Sequence, residues 1–351
     1  MQATAKQAFV AAAIFVAVVA LALALWKLRV LIALLFLAFI VAAAMRPTVE
    51  TLRTRYRVPR GVGILVHYAG LAALLGLLLW LVVPRAIDQI QRATSSDRLE
   101  SQARETSGVK HDVLVSLQTR LEDLPSGAEL VDPAVELTLT AFEVVVGFFF
   151  VLAAAAYWIF ERDRAVDLVA SLAPRPRRRV LRDTWSLIDL KLGAYVRGQA
   201  LLILVVATAL STIFWAIGLP FWLLIGTFAG VVEIVPVVGP LAAGALAIGV
   251  GLTVSLAVGL AAGVAVLVVR LLEDYLVIPR VLGEAVGLSP LLVLTSVTGV
   301  ALLFGEFAIL LAIPIAAVVA TLVDVVVLDK DPAKEEVPTV IFPAKDAETA
   351  G

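Results

Sequence analysis

Two carboxylates lie inside long apolar runs of this chain, beside residues that interrupt helices. Glu233 is followed by Pro236, Gly239 and Pro240, and Glu306 lies in a second apolar run. Proline removes a backbone donor and glycine weakens a helix, so such breaks leave carbonyl groups free to bind a ligand. A carboxylate in lipid is costly, about 2.5–3.5 kcal/mol for Asp on insertion scales, and its default interpretation is functional. These five residues are therefore candidates for a substrate or ion pathway.

Each candidate also has a structural explanation. Glu233 could instead pair with an arginine or a backbone N–H group inside a helix bundle, and Gly239 and Pro240 could form a plain loop. Glu306 could gate a pathway or cap a helix N-terminus, where the helix dipole stabilises a carboxylate. The sequence alone leaves these alternatives open.

A second charged group ends the apolar helix that follows. Arg270, Glu273 and Asp274 are spaced three and four residues apart, so one helical turn can hold them as a local salt bridge. The functional alternative has Arg270 or Arg280 orienting an anion, with Glu273 as a partner that is exchanged during a conformational change. These four residues are candidates for gating or ion pairing.

The composition excludes a soluble protein. Of the 351 residues, 61% are hydrophobic and 16% are charged, and the mean hydropathy is +1.01, whereas soluble domains carry about 25% charged residues. Apolar runs of about 20 residues match the length of membrane-spanning helices. We predict an all-α polytopic integral membrane protein.

Several other classes of function are disfavoured. The net charge of −1 offers no basic excess for nucleic acid, and the absence of cysteine excludes disulfides and thiolate metal sites. The two histidines, His67 and His111, are far apart. No nucleophile, base and orienting residue form a recognisable catalytic array. We therefore expect no cofactor, no metal, no nucleic-acid partner and no enzymatic activity.

The apolar runs mark about eight membrane segments. The sixth and eighth are too long for single helices and contain the Gly and Pro breaks, so each is predicted to be a re-entrant hairpin or a pair of short helices. The eight segments cover residues 8–25, 28–45, 61–83, 138–160, 198–217, 221–249, 252–269 and 289–327.

Lysine and arginine predict the orientation, because they are enriched in cytoplasmic loops. Residues 46–60 carry five Arg against one acid, and residues 161–197 carry nine Lys or Arg against five acids. Residues 84–137 carry six Lys or Arg against ten acids and are predicted to lie on the outer side of the membrane. The N-terminus should then be cytoplasmic, and a hairpin at 221–249 places the C-terminus there too.

These patterns divide the chain into six regions. Residues 84–137 should include a short amphipathic helix. The predicted order is three transmembrane helices in 1–83, an extracytoplasmic helical loop in 84–137, a fourth transmembrane helix in 138–160, a basic amphipathic linker in 161–197, a transport core with the broken segments in 198–328 and a disordered tail in 329–351.

The linker combines a basic start with an apolar stripe. Arg177, Arg178 and Arg179 precede apolar residues at helical spacing, among them Trp185. This pattern is typical of a helix that lies in the interface on anionic lipid, and Arg197 could meet a lipid phosphate or a carboxylate. A solvated linker is the alternative.

An ordered run of motifs in the second half closely resembles the autoinducer-2 exporter family of PerM-like permeases. The first half is similar to that family in its span count, its Arg-rich loop and its outer loop. The motifs are Tyr195-Val-Arg197-Gly198-Gln199, Gly218-Leu-Pro220, Pro236-Val-Val-Gly239-Pro240, Pro279-Arg280-Val-Leu-Gly283 and Val286-Gly287-Leu288-Ser289-Pro290.

The resemblance implies a permease of the bacterial inner membrane, a homo-oligomer and plausibly a pentamer, that exports a small polar organic molecule such as autoinducer-2 by alternating access. Related members have been assigned cation/proton exchange, so a monovalent cation/proton antiporter that uses Glu233 is the alternative. A membrane scaffold without transport activity is a second alternative. Membrane lipids and a small-molecule or ion substrate are the expected partners.

Overall fold

The computed structural model describes residues 2–94, 131–235, 238–278, 290–335 and 337. Within these ranges the chain folds into helices and short helical turns, and no strand occurs in them. The all-α prediction is confirmed. The predicted helix of the outer loop, and Pro236 and Arg280 among the candidate residues, lie outside the described residues, as do residue 336 and residues 338–351 of the tail.

Ten α-helices follow one another in the described ranges. In chain order they are α1 (Gln2–Lys27), α2 (Arg29–Tyr56), α3 (Arg60–Thr94), α4 (Val131–Leu172), α5 (Arg178–Ala216), α6 (Trp222–Val232), α7 (Val238–Val254), α8 (Leu256–Leu272), α9 (Pro290–Phe304) and α10 (Ala312–Val326). Short 3-10 turns cover Arg175–Arg177 and Glu306–Leu311, and a π turn covers Glu273–Val277.

Seven helical stretches of the described chain are long and apolar enough to cross a membrane. This agrees with the predicted polytopic membrane protein, since each has at least 19 residues, close to or above the roughly 20 residues that span a hydrocarbon core of about 30 Å. The seven stretches are Phe9–Lys27, Arg29–Tyr56, Arg60–Arg85, Phe142–Leu172, Arg175–Ala216, Leu256–Val277 and Ala308–Val326.

Both segments that the sequence marks as interrupted are divided in the structure. The segment at 221–249 becomes α6 and α7, with the chain around Glu233 between them. With 11 residues, α6 measures roughly 16 Å at 1.5 Å per residue, about half of a hydrocarbon core. The segment at 289–327 becomes α9 and α10, and Gly305 adopts φ 91° at the break, a conformation that favours glycine.

Several helices continue past the predicted ends of their spans. The stretch 46–60 was expected to be a loop, yet α2 runs through Pro47 to Tyr56 and ends where Arg57 takes a left-handed conformation. Likewise, α5 continues without a break through Arg197, where the sequence pattern placed a boundary between linker and core. Span length set by apolar residues therefore underestimates the helices, because polar helical turns extend beyond the membrane.

The two largest of four apolar clusters in the described residues hold these helices together. One surrounds Phe214 of α5, which is fully buried, and includes Ala247 of α7 and Ala262 of α8. The other joins α2, α3 and α4 around Val49 and Ala155. The helices α5 to α8 thus share one core, and this core surrounds the candidate site.

Small residues let α6 approach α5 closely. A Cβ atom added at Gly230 would lie 2.6 Å from the carbonyl oxygen of Ile203 and 2.8 Å from the backbone nitrogen of Ala207. Gly226, one turn earlier, faces Ser211 in the same way. Glycines four residues apart are a common device for close helix packing in membranes, where no hydrophobic effect drives association. This contact fixes where the C-terminal end of α6 lies along the axis of α5.

Candidate functional site

Glu233 lies where α6 ends and the chain turns toward α7. The turn is tight, because the amide of Val235 donates to the Val232 carbonyl at 2.9 Å, and the amide of Gly239 donates to the Val235 carbonyl at 2.9 Å. A side chain at Gly239 would collide with the carbonyl of Val232. Gly239 and Pro240 therefore begin α7 against the end of α6, and Gly239 allows the close approach that the sequence attributed to a bend.

The other charged candidates lie at the C-terminal end of a neighbouring helix, α8. They are Arg270, Glu273 and Asp274. Ser255 caps α8 by accepting a hydrogen bond from the Val258 amide at 3.2 Å. Arg270 occupies the last turn of α8, and both acids lie in the π turn that follows. Such π turns are rare and frequently occur at functional sites.

The fold brings Glu233 and Arg270 together across 37 positions of sequence. Arg270 Nη1 lies 2.5 Å from Glu233 Oε1 and 3.2 Å from Glu273 Oε2, and Arg270 Nη2 lies 3.0 Å from Asp274 Oδ1. The local pairing suggested by the spacing is present. The contact with Glu233 adds a link between the α6 terminus and α8.

The members of this cluster differ in burial. The side chains of Glu233 and Glu273 are only 7% and 3% exposed, whereas those of Arg270 and Asp274 are 32% and 41% exposed. Isolated buried charges are strongly disfavoured, so the guanidinium stabilises the two buried carboxylates. One guanidinium contacts three carboxylates. The cluster therefore contains more anionic than cationic groups.

The cluster lies at the C-terminal end of an apolar helix. Leu256 begins α8 and Arg270 follows 14 residues later, which corresponds to roughly 21 Å of helix. The stretch Leu256–Val277, which includes the charged residues of the cluster on α8, is long and apolar enough to cross a membrane.

The remaining pathway and gating candidates are distributed differently. Glu306 begins the 3-10 turn after Gly305, a position compatible with the gating and the capping interpretations alike. Pro236 and Arg280 lie outside the described residues. No group of three or more His, Cys, Asp or Glu side chains in the described part of the chain could hold a metal ion.

The residues predicted to meet lipid make mixed contacts. Arg178 donates to the carbonyls of Ala173 and Ser171, and Arg179 lies 3.6 Å from Asp183. Arg197 donates to the carbonyl of Ala44 in α2 at 3.2 Å, a contact within the protein that the sequence did not predict.

Two further members of this set line a cavity. Arg177 is exposed, and Trp185 stacks on Trp158 with ring centroids 5.9 Å apart. Both lie at the edge of an apolar cavity between α2, α4, α5 and α10.

A second ionic cluster was missed in the sequence. Asp189 of α5 is 6% exposed and receives Arg162 of α4 at 2.8 Å and Arg46 of α2 at 3.3 Å. Asp163 and Arg60, 3.8 Å apart, extend the network to α3. Loop charge counts treated these residues as solvated, and only tertiary packing pairs them. The network ties four helices together at one end.

The chain matches the model of the AI-2E family transporter over residues 14–328. It is similar to YrrI of Bacillus subtilis, with 23% identity over 81% of this chain and 83% of YrrI, and to MT0215 of Mycobacterium tuberculosis, with 26% identity over 87% and 85%. It is also similar to part of YueF of Bacillus subtilis, with 28% identity over 46% of this chain and 44% of YueF. All three bear names of transport proteins. The match over most of its length shows that this multi-pass membrane protein belongs to the AI-2E transporter family.

Proposed function

We propose that the chain is a secondary transporter that exports a small polar organic molecule, similar to autoinducer-2, by alternating access around the cluster of Glu233 and Arg270. The observation that carries the proposal is the ion pair between Glu233 at the α6 terminus and Arg270 on α8. Membership of a transporter family supports it. The proposal places the chain in the bacterial inner membrane as a homo-oligomer, plausibly a pentamer, with both termini cytoplasmic.

The arrangement of Arg270 supports an ion pair that can be exchanged. Glu273 and Asp274 contact the same guanidinium from one turn of its own helix. When Glu233 leaves, Arg270 keeps two carboxylates and is not left as an unpaired charge, the costly outcome in an apolar surrounding. Opening of this contact therefore leaves Arg270 paired, whereas the buried Glu233 needs a new partner.

The same groups suit a solute that carries hydroxyl groups. Carboxylate oxygens accept hydrogen bonds from hydroxyls, and the five N–H donors of a guanidinium supply the complementary donors. Glu233, when its partner moves away, becomes the acceptor that a polar solute needs at this depth. We propose that the solute replaces Arg270 as the partner of Glu233 during transport.

A monovalent cation/proton antiporter is the second candidate. Here the observation is the excess of carboxylates, because three acids share one arginine. An exposed carboxylate oxygen in such a cluster can bind a cation or a proton in turn. Glu233 would then be the group that exchanges the two.

Reconstituted liposomes separate these functions. The purified chain is tested for flux of labelled polar solutes, including autoinducer-2, and for proton flux driven by Na⁺, K⁺ or Li⁺. Glu233→Gln should lower the relevant flux by about tenfold or more, as expected when one charged hydrogen bond is lost. Glu161→Gln is the matched control, since Glu161 is exposed and, within the described ranges, its ion-pair partner is Arg164 on its own helix.

Each result has a distinct meaning. Solute flux that depends on Glu233 without cation-driven proton flux supports the permease, and the reverse supports the antiporter. If wild-type protein moves neither class of substrate, the chain is a scaffold and both transport proposals are wrong. If Glu233→Gln transports as wild type does, the site is wrong even if the family function is right.

A further inference from the structure

A cavity of about 960 Å³ opens between four helices far from Glu233 in the sequence. Its walls come from α2, α4, α5 and α10 and are mainly apolar, with Phe36, Phe39 and Trp158 among them. Its size is at the upper end of the range of about 300–1,000 Å³ that small-molecule sites occupy. Nothing in the proposed transport mechanism uses this space.

The cavity runs from a charged mouth to an apolar end. Arg177 and Asp329 lie on its wall where α5 begins and α10 has ended, and Ile188 lies 11 residues further along the chain than Arg177. At about 1.5 Å per residue this is roughly 16 Å of depth. Exposed Leu35 and Val326 also line it, so it is open on its lipid-facing side. The shape is that of a site for a molecule with one polar end and a long apolar part.

The mouth carries two exposed charges of opposite sign, Arg177 and Asp329. Among the residues that the structure describes, neither Arg177 nor Asp329 forms an ion pair, and they do not pair with each other. By contrast Arg179 is paired with Asp183, and Lys330 with Asp324. A cation and an anion held apart at one opening are complementary to a ligand that carries both signs of charge.

Among the described residues, the inner wall offers no free polar group to a ligand. The indole nitrogen Nε1 of Trp185 is buried without a hydrogen-bond partner and does not face the open space. The hydroxyl group of Thr184 is already bonded to the Val180 carbonyl at 2.7 Å. The inner part of the cavity therefore suits an apolar chain.

We propose that this cavity binds a phosphatidylethanolamine molecule. Its phosphate contacts Arg177, its primary ammonium contacts Asp329, and an acyl chain fills the apolar part. An anionic lipid without an amine would satisfy Arg177 and leave the Asp329 carboxylate beside a like charge. The site would make a membrane lipid a structural partner of α2, α4, α5 and α10.

Native mass spectrometry of the full chain with defined lipids tests each contact. Phosphatidylethanolamine should bind about tenfold more tightly than phosphatidylglycerol of the same acyl chains, because one charged hydrogen bond is added. Asp329→Asn should remove this preference. The variant preserves the backbone, since Asp329 has φ 49° and asparagine tolerates the left-handed region.

A further comparison tests the contact with the phosphate. Arg177→Gln should weaken both lipids about tenfold, whereas Arg179→Gln, whose arginine is paired elsewhere, should not.

A variant that blocks the opening tests the cavity without changing either charge. Val180 lines the cavity and is 42% exposed, so Val180→Trp should leave the fold intact and lower lipid binding. Equal binding of the two headgroups, or unchanged binding in Val180→Trp, overturns the proposal. An oligomer that dissociates in Val180→Trp, with no change in bound lipid, would instead assign the cavity to a second copy of the chain.

Discussion

Because α6 packs closely on α5, the effect of a glycine-to-alanine substitution on stability should depend on its position. Gly230 lies where an added methyl group meets the Ile203 carbonyl and the backbone of Ala207 at 2.6–2.8 Å. These are backbone atoms and cannot rotate away. Gly230→Ala should therefore cost about 1–3 kcal/mol, the usual cost of overpacking.

The same change elsewhere should have the opposite effect. Gly76 lies within α3 and has no atom within 4 Å of an added Cβ atom. There the only consequence is the better helix propensity of alanine, about 0.5–1 kcal/mol. The two substitutions should therefore change the unfolding free energy in opposite directions, and the two variants should differ by about 1.5–4 kcal/mol.

Unfolding by denaturant in bicelles, followed by circular dichroism, measures both free energies. The slope of the free energy against denaturant should stay the same, so that the midpoints report stability. If Gly230→Ala is as stable as the wild type, or if Gly76→Ala is equally damaging, then close contact at the end of α6 does not set its position. Packing of α6 on α5 would then not explain how Glu233 comes to contact Arg270.

Other predictions follow from polar groups. Asp189→Asn should destabilise the fold by about 3–5 kcal/mol, since the buried Arg162 loses its buried charge partner and keeps only the exposed Asp163, whereas Asp167→Asn in an exposed pair should cost at most about 1 kcal/mol; equal losses in denaturation would contradict this. Ser255→Ala should cost about 1 kcal/mol through its lost N-cap and leave the other helices unchanged in hydrogen exchange. A hydrogen bond to Asp324 raises the pKa of Lys330 above its usual value. Its stabilisation is therefore complete below the unfolded pKa and is lost as the pH rises through the folded pKa; an NMR titration that finds the pKa of Lys330 unchanged in Asp324→Asn would contradict the cause.

Local chemistry made the broken segments predictable. Glycine and proline disrupt helices wherever they occur, so the interruptions near Gly239 and Gly305 could be inferred without knowing any neighbour. The local spacing of Arg270, Glu273 and Asp274 likewise indicated their contact, because residues three and four apart share a helix face. These features depend on short stretches of chain.

Tertiary pairing could not be inferred in the same way. Glu233 contacts Arg270 only because packing on α5 fixes where α6 ends along the axis of α5. The sequence spacing of the two residues does not indicate that position. The network around Asp189 was missed for a related reason: charges near helix ends look solvated until the helices are seen to extend beyond the membrane and to pack there. Contacts of this kind require the three-dimensional arrangement.

Access to the turn beside Glu233 tests the central claim most directly. The chain has no cysteine, so Ile234→Cys introduces a single thiol next to an intact Glu233 in proteoliposomes. A thiol reagent that does not cross membranes is added to one side at a time. Alternating access predicts labelling from both sides, with rates that change in opposite directions when the transported solute is present. Labelling from one side only, under every condition, would contradict a transport site at Glu233.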